Sequence, residues 1–463
     1  MVPIEETKKK CIAVVTIGGT MFMTGAPLAP GEIKLPTLRI PTGRSRTPFP
    51  PVHGDFELQP FGRAISLEEI RTEHHPLYNL DSSEIRIKQL NQLGEKLAQL
   101  SNNPDVDAVV VLSGTDKMHK LVTRMAHHLH GLKKPVLFTG AERPLGKRGS
   151  NAQRNYEQAI RAACDLSKAR LNQVLLLFGK RPRVNTKRKS SANTKRKPPS
   201  IGEIYHPLNA LKAHATRDDL FHHSYKRVLG TVTWRRGTRL TQLGTQLTRQ
   251  ARSSLGSTIF TPVKEDQLDV VEIPETKSLG KFGKINQNAK VIALRAEGKG
   301  NVIREALRKL AKRANGRPVI ITTEAGAHVD LTAYEPGRVA LRKGMLPSGG
   351  LIPVTAEIRA EYLAHQMGEI NRYADEHKPR NTTPEAFKQK LFAALYLSGA
   401  KFTGRDTKKK HEAELGVKIT KDDIIINSSI QEALAKAHAA IKEFENKRKP
   451  SRGQQQELPF RRT

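Results

Sequence analysis

"DAVVVLSGTDKM", residues 107–118, is the stretch on which the reading of the fold turns. Its first half, "DAVVVL", is a continuous run of β-favouring apolar residues, the pattern of a strand buried on both faces of a parallel sheet. The run stops at Ser113-Gly114-Thr115-Asp116-Lys117, where a hydroxyl and a carboxylate stand side by side. Open parallel sheets bind ligands beyond the carboxyl ends of their strands. This polar end is therefore either an ordinary turn or a reactive site, and the residues alone leave both readings open.

Working outward, the same rhythm recurs. "CIAVVTI" (11–17) reads as a strand ending on Gly18-Gly19-Thr20, followed by a Pro/Gly-rich loop to about residue 65. Ile85, Leu90, Leu93, Leu97 and Leu100 recur at helical spacing. After "DAVVVL" come a helix through "KLVTRMAHHLHGL", a strand "KPVLFTG" (134–140), a helix "AQRNYEQAIRAACDL" and a strand "QVLLLF" (173–178). Strands alternating with amphipathic helices predict an α/β fold built on a larger N-terminal parallel-sheet domain. Lys134 opens its strand, so this pattern by itself leaves it at the edge opposite Thr20 and Thr115.

The alternation breaks at "NTKRKSSANTKRKPPS" (185–200), where the pentapeptide NTKRK occurs twice. Residues 181–200 hold eight Lys or Arg and no acid, too polar to bury a core. The expected organisation is an N-terminal domain over 1–225 with a basic insertion at about 181–210, then a linker region over 226–285. A smaller α/β domain over 286–410 restarts at "KVIALRAEGKGN", and a basic helical tail over 411–463 carries the helix at 429–449.

Composition narrows the class. The 463 residues carry a net charge of +34, which favours attraction to nucleic acid or another polyanion. Cys11 and Cys164 are the two cysteines; they form no CxxC pair, which fits a reducing compartment. The N-terminus lacks a signal-peptide pattern and no apolar run reaches the ~18 residues of a membrane helix, so the expectation is a cytoplasmic protein without a membrane partner. His127, His128 and His130 lack the neighbouring carboxylate or cysteine of a metal centre and read as a basic helix end before Gly131. "EGKGN" (297–301) lacks the full pattern of a phosphate loop.

Several segments, in order, resemble the bacterial and archaeal L-asparaginases. "VVTIGGTMF" is similar to the family's first signature, "NLDSSEI" (79–85) to its Asp-Ser-Ser segment, and "VVVLSGTDKM" to its second signature. "KPVLFTGAERP", "HATRDDLF" (214–221), "RAEGKGN" and the stretch 333–363 follow in register, over about residues 10 to 400. The resemblance implies Thr20 as hydroxyl nucleophile and Thr115, Asp116 and Lys134 as a Thr-Asp-Lys triad. It implies Asp81, Ser82, Ser83 and Gly114 as substrate-binding residues and Asn301 as an inter-subunit contact. The reaction it implies is hydrolysis of a side-chain amide through an acyl-enzyme, releasing ammonia, without metal or organic cofactor, in a dimer or tetramer.

Departures from the family pattern are Ile17 for a threonine, Ser113 for a histidine, Lys117 for a small hydroxyl residue, and Asn151-Ala152-Gln153 for Asp-Gly-Pro. No tyrosine lies between Thr20 and Tyr78, where the family's lid supplies one. Two other functions stay in view. One is part of a tRNA-dependent amidotransferase; the other is a catalytically impaired relative that binds nucleic acid through the basic insertion.

Overall fold

The computed structural model describes residues 9–19, 21, 70–80, 82–143, 150–180, 201–212, 220–223, 228–233, 236–250, 257–264, 268–272, 285–296, 304–323, 329–333, 335–400, 402, 405–421, 423–426 and 428–448. Thr20, Asp81, Asn301, "EGKGN" and the NTKRK repeats lie outside these residues. The chain divides into two units, Met1–Glu265 and Asp266–Thr463.

The first unit is organised by β1 (Lys10–Gly18), whose Ile12, Ala13, Val14 and Val15 are wholly buried. It pairs in parallel with β2 (Ile70–Leu80) on one side and, after α1 (Ile87–Asn102), with β3 (Ala108–Leu112) on the other. The chain thus reverses its direction of travel across the sheet at β1, and the carboxyl ends of β1 and β3 flank a topological switch point. Next come α2 (Met118–His128), β4 (Leu129–His130), β5 (Val136–Thr139), α3 (Ala152–Lys168) and β6 (Val174–Lys180). They extend the parallel sheet through the β3–β5 and β5–β6 pairs.

From β6 onward the sheet turns antiparallel, through β7 (Ile201–Tyr205), β10 (Gly230–Thr233) and β11 (Gly237–Leu240). The order is β11-β10-β7-β6-β5-β3-β1-β2. Between β7 and β10 a small hairpin of β8 (Ala210–Lys212) and β9 (Phe221–His223) stands outside the main sheet. The basic insertion therefore stops short of residue 210, because 201–205 completes a strand on β6.

The expected linker over 226–285 is not a linker. Strands β10 and β11 and helix α4 (Gln242–Gln250) belong to the first unit, where Leu240, Leu243 and Leu247 pack on its core. Residues 257–263, including β12 (Ile259–Phe260), run as a strap over α1 and α2. Asn91 pairs with both backbone groups of Val263, and Asn102 does the same for Thr258. The strap buries the His127–His130 stretch: Thr261 O accepts from His128 Nδ1 at 2.7 Å, and Thr261 Oγ1 meets His130 Nε2 at 3.1 Å. These imidazoles are interior groups rather than a solvated helix end.

Gly94 on α1 faces the Phe260 ring, and a Cβ added there lies 2.0 Å from it. Alanine gains about 1 kcal/mol of helix propensity over glycine, but overpacking costs about 1–3 kcal/mol. Gly94→Ala is therefore expected to lower the urea midpoint of the first unit; an unchanged midpoint would show that the strap is loosely held.

The second unit stacks β13 (Leu268–Glu272), β14 (Val291–Ala296), β15 (Val319–Thr323) and β16 (Leu346–Pro347) in an all-parallel sheet. Its helices are α5 (Arg304–Ala314), α6 (Glu335–Arg342), α7 (Pro353–His365), α8 (Met367–His377), α9 (Pro384–Tyr396), α10 (Arg405–Leu415) and α11 (Ile430–Arg448). The expected tail is part of this body: α11 buries Ala433, Leu434, Ala437 and Ile441, and Glu445 pairs with Lys390 of α9 at 2.8 Å. The whole is an α/β fold of mixed, mostly parallel sheets. Among the described residues no helix is long and apolar enough to cross a membrane.

Candidate active site

Three of the sequence segments singled out above meet at the switch point. Gly18 and Gly19 take left-handed φ values of 96° and 95° and close off β1. A Cβ on Gly19 would sit 2.2 Å from the Gly114 nitrogen, so only glycine lets the end of β1 press on the end of β3. Ser82, at the start of a short 3-10 turn (Ser82–Glu84) after β2, packs on Gly114 from another side; its Oγ lies 2.7 Å from a Cβ built there. Gly19, Gly114 and Ser82 thus converge, and Thr20 is the next residue of that chain end.

Thr115 is 7% exposed, and Asp116 presents its carboxylate toward solvent just before the first turn of α2. Ser113 anchors this end, its N–H donating to Thr139 O at 3.0 Å. Asn155 braces the neighbouring strand ends: its amide donates to Gly140 O at 2.8 Å and its Oδ1 accepts from Gly179 N–H at 3.2 Å. Asn151 accepts from the Glu142 N–H, so the altered Asn-Ala-Gln segment still ties α3 to the end of β5.

Lys134 is not at this site. It precedes β5, and its ammonium donates to the carbonyls of Asn103 and Val106 at the amino edge of the sheet. Five residues of strand separate it from Thr139, roughly 16 Å at the usual rise. A side chain cannot cross that distance.

The lysine that does reach the site is Lys212, the last residue of β8. Its ammonium donates to Asp116 Oδ1 and lies 3.3 Å from Thr115 Oγ1, with its side chain 13% exposed. The hairpin that delivers it is fixed from several directions. Phe221, the register partner of Lys212, meets Phe178 of β6 edge-on at 5.1 Å between ring centres. Tyr205 donates to Phe221 O at 3.1 Å, and Thr123 of α2 donates to Pro207 O at 2.9 Å.

Tyr78 does not replace the missing lid tyrosine, since its hydroxyl donates to the Gln89 carbonyl. Among the described residues no cluster of His, Cys, Asp or Glu is arranged to hold a metal ion.

His119, the second residue of α2, is buried with Nδ1 making no hydrogen bond. Burial, then the charges of Lys120 and Lys212, push its pKa down to about 4; burial and the neighbouring His75 do the same to His74. Both imidazoles are neutral in the folded protein at pH 7, while the unfolded chain takes up their protons near pH 6.5. The unfolded state binds more protons as pH falls from 6.5 to 4, so stability is expected to drop across that window. Urea midpoints at pH 7.5 and 5 check this, with a shallower slope expected for His119→Gln.

Comparison with known proteins bears on the fold and the family. The α/β architecture is that of the thermostable L-asparaginase from Thermococcus kodakarensis, with a TM-score of 0.54 at 18% identity, covering 85% of this chain and 99% of that one. Residues 48–242 match the family described as "Asparaginase, N-terminal". The chain is 24% identical over 369 residues to L-asparaginase 1 of Escherichia coli K12, covering 78% of this chain and 93% of that protein. It is 22% identical over 318 residues to one component of the glutamyl-tRNA(Gln) amidotransferase of Thermoplasma acidophilum, covering 66% of this chain and 68% of that one. These similarities, to L-asparaginases and to an amidotransferase component alike, support an L-asparaginase family assignment and, with it, an amidohydrolase activity.

Proposed function

We propose that this protein hydrolyses the side-chain amide of L-asparagine, or of L-glutamine, to the acid and ammonia through a threonine nucleophile. The observation that carries the reading is the Lys212 ammonium held on both Asp116 and Thr115 beyond the end of β3. In this reading Thr20 attacks the amide carbon and its proton leaves through neighbouring groups. The Thr115–Lys212 pair moves protons, and Asp116 orients the lysine. N–H groups of the glycine turns stabilise the oxyanion of the tetrahedral intermediate. Its collapse breaks the C–N bond as the nitrogen takes up the proton that Thr20 gave up and leaves as ammonia; water then hydrolyses the acyl ester, releasing the acid and restoring the Thr20 hydroxyl. Ser82, with Asp81, Ser83 and Gly114, holds the substrate's α-carboxylate and amine. The reaction is assigned to the cytoplasm, in a homo-oligomer with Asn301 at a contact between protomers.

Ammonia release from L-asparagine and L-glutamine tests this. Thr115→Ala and Thr20→Ala are each expected to lose at least about 100-fold in rate. Well-folded wild-type protein that releases no ammonia from either amide would sink the reading.

A second reading is favoured by the amidotransferase relative: a component that acts on an amide in company with tRNA. The basic insertion and the charge of +34 would then engage the phosphate backbone. The log of the RNA affinity should fall linearly with the log of salt concentration. Indifference to tRNA at low salt removes this option.

A further inference from the structure

Lys117 stands where the asparaginase pattern has a small hydroxyl residue, directly between Asp116 and α2. Its ammonium does not turn onto Asp116, which is taken by Lys212. Instead it reaches across the site and donates to the Ser83 carbonyl at 2.5 Å, on the 3-10 turn that carries Ser82. That turn is already pressed on Gly114 by the Ser82 side chain. The bond therefore clasps the turn to the end of β3 across 34 residues of sequence. An ammonium has three donors, and this carbonyl uses one. Among the described residues Lys117 makes no ion pair, and its ammonium stands beside the turn that carries Ser82.

We propose that Lys117 is a specificity-determining residue, which positions the Ser82–Ser83 turn and lends its charge to the α-carboxylate of the substrate. The proposal rests on the amidohydrolase reading for the identity of that substrate. A neutral side chain at this position leaves carboxylate recognition to hydroxyl and backbone donors. Here a charge-assisted hydrogen bond is added, and such bonds are stronger than neutral ones. The consequence is a site that favours substrates with a free carboxylate on the Ser82 side over otherwise equal amides lacking it.

The test compares two ligands that differ by that group, L-aspartate and β-alanine, titrated calorimetrically into wild type, Lys117→Met and Lys117→Arg. Lys117→Met is expected to weaken L-aspartate by roughly 10- to 100-fold, the scale of one hydrogen bond to a charged group, and to leave β-alanine unchanged. Lys117→Arg should keep most of the affinity. In steady-state assays KM for asparagine should rise while kcat changes little. Hydrogen exchange without ligand reads the clasp separately: the peptide spanning Ser82–Glu84 should exchange faster in Lys117→Met. Wild-type affinity for L-aspartate in Lys117→Met, or equal loss of both ligands, overturns the proposal while ammonia release keeps the amidohydrolase reading intact. Wild type that neither binds L-aspartate nor releases ammonia overturns both.

Discussion

Lys212→Met is expected to lower kcat/KM for ammonia release by at least about 100-fold, within the range for loss of a positioned acid–base group. Lys134→Met is expected to leave it unchanged. The two lysines differ in which edge of the sheet they occupy. Lys212 stands on the carboxyl edge with its amine on Thr115 and Asp116. Removing the amine leaves Thr115 without its proton partner and Asp116 without its cation. Lys134 donates to two backbone carbonyls on the amino edge. Its loss strips those carbonyls of a charged donor, a stability cost of about 1–3 kcal/mol with no route to the reacting atoms. Parallel kinetics and urea unfolding of the two variants check both halves.

Arg359→Met is expected to destabilise the second unit by roughly 3–5 kcal/mol, the cost of removing one partner of a buried ion pair. Arg359 of α7 is wholly buried, and burial brings its pKa down to about 10. It donates to the carbonyls of Tyr396 and Ser398 at 3.0 and 2.7 Å and to the Asp423 carboxylate. Asp423 in turn accepts from the N–H of Ile425 at 3.0 Å. One guanidinium thus ties α7 to the end of α9 and to the segment leading into α11. Without it Asp423 keeps a buried charge with no counter-ion. Asp423→Asn relieves that charge, so the double variant should lose less than the sum of the single losses. Additive losses would show that the pair is not coupled.

The parallel core was legible because its signal is local. The uniformly buried Val109, Val110 and Val111, and the leucines of α1, follow from short-range hydrophobic periodicity alone. The approach of Gly19 to Gly114 was legible as well, since each ends a strand on the same edge; Ser82 was indicated only by the family resemblance, because the strand that delivers it, β2, was not read from the sequence. The lysine was not. The family resemblance points to Lys134 through a segment matched as a strand, and a strand's direction puts its first residue at the edge opposite its last. The signal for Lys212 lay close at hand, two residues before "HATRDDLF". It was masked by a hairpin too short to show periodicity, beside an insertion whose composition drew the boundary to about 210. The strap at 257–263 escaped for a similar reason. It is held by side-chain amides of Asn91 and Asn102, whose partners more than 150 residues away leave no local pattern.

The most direct test of the account restores the Lys212 amine chemically. The native cysteines, Cys11 and Cys164, are free but only 2% and 4% exposed, so a cysteine placed at 212 is the accessible thiol. Lys212→Cys, treated with 2-bromoethylamine, regains an amine at nearly the lysine position. The untreated variant is expected to release almost no ammonia from L-asparagine, and alkylation to return a substantial share of the wild-type rate. An untreated variant as active as wild type would contradict it.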